Sequence, residues 1–130
     1  TGSGRSDIRV IEKLIRFGGS QITFHLVHMG KNAGGHFYFI PRFSKWITEG
    51  LNIYCDTSWA SGFAVRWIIR EAMRDEKIAS RVLFASDEPW GIFKSEISKI
   101  IDAEEGTPEI INKFLWKNAY KLYPTWEECR

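Results

Sequence analysis

Two side chains in this sequence stand where a protein can do chemistry. Asp87 closes a short apolar run from Arg81 to Ser86, and a Glu88-Pro89-Trp90-Gly91 turn and a helical pattern follow it. That order puts a carboxylate just past the C-terminal end of a buried strand, where open α/β sheets and β/α barrels keep their chemistry. A carboxylate in so dry a place needs a metal, a proton or a basic partner. His28 ends a second strand-like run, Gln21 to His28, in which Phe24, Leu26 and His28 alternate onto one face. Asp87 alternates in the same way with Leu83 and Ala85. If those faces line one interior, imidazole and carboxylate converge, and such a pair can bind a divalent metal or act as acid and base on a water. Plainer readings stand beside these: Asp87 as the N-cap of the next helix, and His28 bonded to a loop carbonyl. Trp59 and Trp90 also follow strand ends and would wall a substrate pocket. His25 faces the other way and is expected under a helix, whereas His36 reads as a loop residue or helix cap.

The elements that must position these groups repeat one pattern. Ser6 caps a predicted helix carrying Ile8, Ile11, Leu14 and Ile15 at helical spacing, which stops at Gly18-Gly19. After the first strand comes a glycine-rich loop from Met29 to Gly35. Pro41 reads as a first-turn proline of a short helix through Phe43, Trp46 and Ile47. Leu51 to Asp56 is the second strand, closed by Thr57 and Ser58. A longer helix from Ser61 to Glu76 follows, with Phe63, Trp67, Ile68 and Met73 toward a core. Arg81 to Ser86 is the third strand. Ile97, Ile100 and Ile101 then mark a helix stripe, Thr107-Pro108 caps another helix, and helical pattern resumes through Ala119 and Leu122. Apolar strands separated by helical stretches mean parallel β-α units, so the fold class is α/β, with the three strand ends on one rim.

Composition closes off several functions. The 130 residues make one domain or less, with residues 1–5 read as a linker or expression scar and residues 6–130 as the folded part. A net charge of +2 with both signs interspersed gives no basic stripe for nucleic acid or an anionic surface. No apolar run is long enough to span a membrane and no secretory signal is present, so a cytoplasmic protein is expected. Cys55 and Cys129 sit in unlike contexts, which favours reduced thiols. The Gly30 to Gly35 loop lacks phosphate-loop spacing, no G-x-S-x-G elbow exists, and no Cys/His cluster has zinc-finger spacing.

Three motifs, Val27-His28-Met29-Gly30, Ile53-Tyr-Cys-Asp-Thr-Ser58 and Val82-Leu-Phe-Ala-Ser-Asp87-Glu-Pro-Trp90, resemble the last strands of the amidohydrolase-related metal-dependent hydrolases. That group includes decarboxylases of the aminocarboxymuconate-semialdehyde type. The closing Phe114 to Tyr123, with Asn118-Ala119, resembles the family's terminal helix. The resemblance implies a (β/α)8 barrel whose single metal, usually zinc, is held by a His-x-His pair, a further His and a last-strand Asp. By resemblance Asp87 is that metal ligand and the base that takes the proton of the attacking water. His28, in its His-Met-Gly turn, is the assisting histidine. Ser86 stands where Thr is more usual.

The sequence departs from the family in what it lacks. No His-x-His is present, and such a barrel takes ~250 residues. The resemblance therefore implies an incomplete barrel, the last three strands and helices, with most metal ligands elsewhere. The expected function is the C-terminal part of a metal-dependent hydrolase or non-oxidative decarboxylase acting on a small-molecule substrate, inactive alone. The alternative is a partial barrel reused as an oligomerising or binding module. Open strand edges would favour self-association or a complementary chain.

Overall fold

The chain runs α1 (Ile8–Gly18), β1 (Phe24–Leu26), α2 (His36–Thr48), β2 (Ile53–Asp56), α3 (Gly62–Arg74), α4 (Glu76–Ala79) and β3 (Val82–Leu83). It continues through α5 (Phe93–Ile101), α6 (Pro108–Asn112) and α7 (Asn118–Leu122), in a computed structural model that describes residues 7–31 and 34–123. The expected linker at residues 1–5, the Ser6 cap, Trp126 and Cys129 lie outside the described residues. Asp7 is the N-cap of α1, its side chain accepting from the Arg9 N–H.

The three strands form one sheet in the order β1-β2-β3, parallel throughout. Phe24 pairs with Ile53 and Leu26 with Cys55, while Cys55 pairs with Val82 and Asp56 with Leu83. Ile53, Cys55 and Val82 are fully buried against the helices, and Phe24 and Leu26 pack onto the same core. The opposite face carries His25, Tyr54, Asp56 and Leu83; Leu83 is buried yet stands outside that core. This arrangement of parallel β-α units is consistent with part of a β/α barrel.

Helix α2 starts five residues before Pro41, which lies inside it rather than in its first turn. A proline there loses one backbone hydrogen bond. Burial of Phe39, Ile40, Phe43, Trp46 and Ile47 along the helix outweighs that loss. Helix α3 buries Ala64, Val65, Ile68, Ile69 and Ala72; of the expected stripe, Ile68 is buried and Trp67 packs against the core, whereas Phe63 and Met73 are exposed. Leu14 of α1, Ile101 of α5 and Trp116 are likewise exposed rather than packed. Thr107 caps α6 with Pro108 in its first turn, as its sequence requires.

The free edge of β3 is partly covered. Phe84 N–H donates to the Phe114 carbonyl at 2.8 Å, and Asn118 Nδ2 donates to the Ala79 and Val82 carbonyls at 2.8 and 2.7 Å. Asn118 is itself buried, so this segment is fixed to the sheet by satisfied polar groups.

Candidate functional site

Each strand hands its polar group to the rim through a left-handed backbone turn. His28, Met29, Trp59 and Asp87 all have positive φ, between 45° and 59°. Side chains other than glycine rarely adopt that conformation, and it clusters at functional sites. Two glycines make the turns possible. A Cβ on Gly30 would lie 2.2 Å from the Phe39 ring, and one on Gly91 would lie 1.9 Å from the Ser86 carbonyl oxygen.

The left-handed turn at His28 changes the expected geometry. Phe24 and Leu26 point to the helices, so His28 does not share a working face with them. Strand alternation ends at Leu26, and a tight turn over Val27–Gly30 carries the imidazole to the rim. His25 is corrected as well. It lies on the open face, with Nδ1 2.9 Å from the Tyr123 hydroxyl and Nε2 2.9 Å from Asp56 Oδ2. The second contact has ion-pair distance without hydrogen-bond alignment.

His28, Lys31, Trp59, Asp87 and Trp90 line one cavity of about 390 Å³. The pocket thus gathers His28, Asp87, Trp59 and Trp90, the four residues singled out in the sequence. Asp87 does not cap the following helix, whose N-cap is Ile92. Its Oδ2 accepts from the Trp59 indole N–H at 2.6 Å, and its carbonyl accepts from the Trp90 and Gly91 N–H groups. Trp90 is 79% exposed, and the Lys31 ammonium lies 5.3 Å from the Trp59 ring centre. β1 and β3 are not neighbours; the turn after β2 bridges them, Ser58 touching His28 and Trp59 touching Asp87.

Asp56, which the sequence reading passed over, organises that bridge. It is 2% exposed, and its Oδ1 accepts from the His28 N–H at 3.0 Å, the Ser58 N–H at 3.1 Å and the Ser58 hydroxyl at 2.5 Å. Burial pushes the Asp56 carboxyl up, but the adjacent His25 imidazole and the bonds from Ser58 and the His28 backbone together hold it below the usual carboxylate range. Asp56-Thr57-Ser58 repeats the pattern that singled out Asp87, an acid at a strand end before a turn. That repetition was the available signal.

Helix α5 buttresses the same turn. Glu96 accepts from the Trp59 N–H at 3.2 Å, and the Lys99 ammonium donates to Glu96 at 2.6 Å and to the Ala60 carbonyl at 3.0 Å. Glu96 is buried on a stripe read from sequence as apolar. His36 is neither loop nor cap: it is the first residue of α2, buried, with Nδ1 3.3 Å from the Ser61 hydroxyl. Burial foremost, and then the Lys31 charge, lowers its pKa. Cys55 is a free thiol sealed in the core, and burial pushes it well above its ordinary value, so it is no nucleophile.

Among the described residues, no three His, Cys, Asp or Glu side chains come close enough to hold a metal ion. The pocket offers one carboxylate and one imidazole, short of the roughly three protein donors that a catalytic zinc takes. No helix of the described residues is long and apolar enough to cross a membrane.

No curated protein and no solved structure matches this chain. The family model described as amidohydrolase matches residues 11–125, which takes in all three strands, their rim turns and the Asn118 segment that closes the β3 edge. By that match the chain belongs to the amidohydrolase family.

Proposed function

We propose that these residues form the closing β-α units of a metal-dependent hydrolase or non-oxidative decarboxylase barrel, of the aminocarboxymuconate-semialdehyde-decarboxylase type. The family is generally metal-dependent, and the three-strand parallel sheet is consistent with part of a barrel. One observation carries the reading: His28 and Asp87, arriving from different strand ends, line one cavity between two indoles. In this reading Asp87 is a metal-ligating carboxylate and takes the proton of the attacking water, and His28 assists beside it. Trp59 and Trp90 wall the small-molecule substrate. The remaining donors, for zinc or a similar ion, would come from outside the described residues, a complementary chain among the possible sources. The described donors do not complete a metal site, so no chemical step is assigned to the ion.

Equilibrium dialysis of the 130-residue chain against zinc tests the assignment. Weak binding is expected, lost in Asp87→Asn and kept in the exposed control Asp102→Asn. One tightly held zinc per chain, or binding indifferent to Asp87→Asn, would overturn it. A second reading, an oligomerising module without catalysis, draws on the exposure of Phe17, Phe37, Trp90 and Ile92. A defined dimer by light scattering, with no zinc affinity at Asp87, favours that reading.

A further inference from the structure

The hydrogen bonds around His28 determine which of its ring nitrogens carries a proton. Asp56 Oδ1 is a carboxylate oxygen and can only accept, so the Ser58 hydroxyl, 2.5 Å away, donates its single proton to it. Ser58 Oγ is then left with lone pairs alone, and it lies 2.8 Å from His28 Nδ1. Two acceptors cannot bond to each other, so Nδ1 must hold the hydrogen. In a neutral imidazole this leaves Nε2 bare, on a ring that lines the pocket. The same Asp56 oxygen accepts the His28 backbone N–H and so holds the residue in its left-handed turn.

We propose that Asp56 and Ser58 are positioning residues, a carboxylate–hydroxyl relay that fixes His28 as its Nδ1–H tautomer and presents Nε2 as an unprotonated acceptor. No covalent bond changes; the relay selects one of two arrangements of a single proton. It deepens the role given above to His28 and rests on that reading for its functional meaning. An Nε2 lone pair can accept a substrate or water proton, whereas the opposite tautomer would offer an N–H and act only as a donor. The relay links the turn after β1 to the turn after β2, so the orientation of His28 is set from the neighbouring strand.

Nitrogen-15 NMR of the imidazole rings in the 130-residue chain reads the tautomer directly, above the pH at which His28 is protonated. The chain has three histidines, and the His28 ring is assigned by its disappearance in His28→Gln. The wild-type chain should show Nδ1 protonated and Nε2 bare. Ser58→Ala should move the population toward Nε2–H, the form an unconstrained imidazole prefers, and Ser58→Thr should restore the wild-type pattern. A wild-type ring carrying its proton on Nε2 would overturn the proposal without recourse to any variant. So would a folded Ser58→Ala chain with an unchanged spectrum. The wild-type result stands even if Ser58→Ala does not fold. The two readings can fail separately: an Nδ1–H tautomer with zinc binding indifferent to Asp87→Asn keeps the relay and discards the metal role.

Discussion

Asp56, the last residue of β2, and Asp87, in the turn after β3, are acids of the same type beside the same rim, and the protein treats them in opposite ways. Asp56 is buried and its Oδ1 is taken up by donors from the turn after β1 and from its own turn. Asp87 is half-buried, bonded through its side chain to one indole, and opens onto the cavity. A carboxylate satisfied by the chain itself is structure; one left at a pocket's edge is available to a ligand. Sequence position alone does not separate the two, because one donor that makes the difference, the His28 N–H, comes from a turn 28 residues away.

The largest expected effect tests that contrast head on. Asp56→Ala removes a buried acceptor and strands the His28 and Ser58 N–H groups, which should lower stability by about 3–5 kcal/mol. Asp87→Ala should lower it by about 1 kcal/mol or less, since water reaches the site. Urea titration of the two variants measures the difference, and equal losses would mean that the two carboxylates are held alike. Next in size is Gly30→Ala, whose new methyl meets the Phe39 ring in a left-handed backbone with φ of 62°. Overpacking and strain together should cost about 2–3 kcal/mol. An unchanged urea midpoint would show that the His28 turn yields to the added methyl.

The smallest effect is a pH dependence. Burial lowers the pKa of His36 from the ordinary histidine value of 6.5, so the folded chain prefers it neutral. Its contribution to stability is complete above about pH 6.5 and is lost as the pH falls through the lowered folded value. His36→Asn should flatten the fall in urea midpoint across that range. Asp56 acts in the same direction but lower: its carboxyl lies below 3.8 when folded, so its share is lost only in stronger acid.

What could be read from the sequence was local. The strand centred on Ile53–Asp56, the Thr107-Pro108 cap and the gathering of His28, Trp59, Asp87 and Trp90 at one rim follow from short-range pattern and parallel connectivity. What could not be read depended on backbone turns or distant partners. Strand alternation carried through Val27 put His28 on the wrong face, because no periodicity announces a left-handed residue. Helical spacing marks Ile68 and Trp67 of α3 for the core but also Phe63 and Met73, which are exposed while Ala64, Val65, Ile69 and Ala72 are buried in their place. Glu96 went unnoticed since its partners, Trp59 and Lys99, turn a charged residue into an interior one.

The bond from the Trp59 indole to Asp87 has a practical consequence. A ligand bound at that carboxylate changes the polarity around the bonded indole, which belongs to one of the six tryptophans of the chain. The chain therefore carries its own optical probe, and the emission of Trp59 will register each arrival and departure at the carboxylate without any added dye.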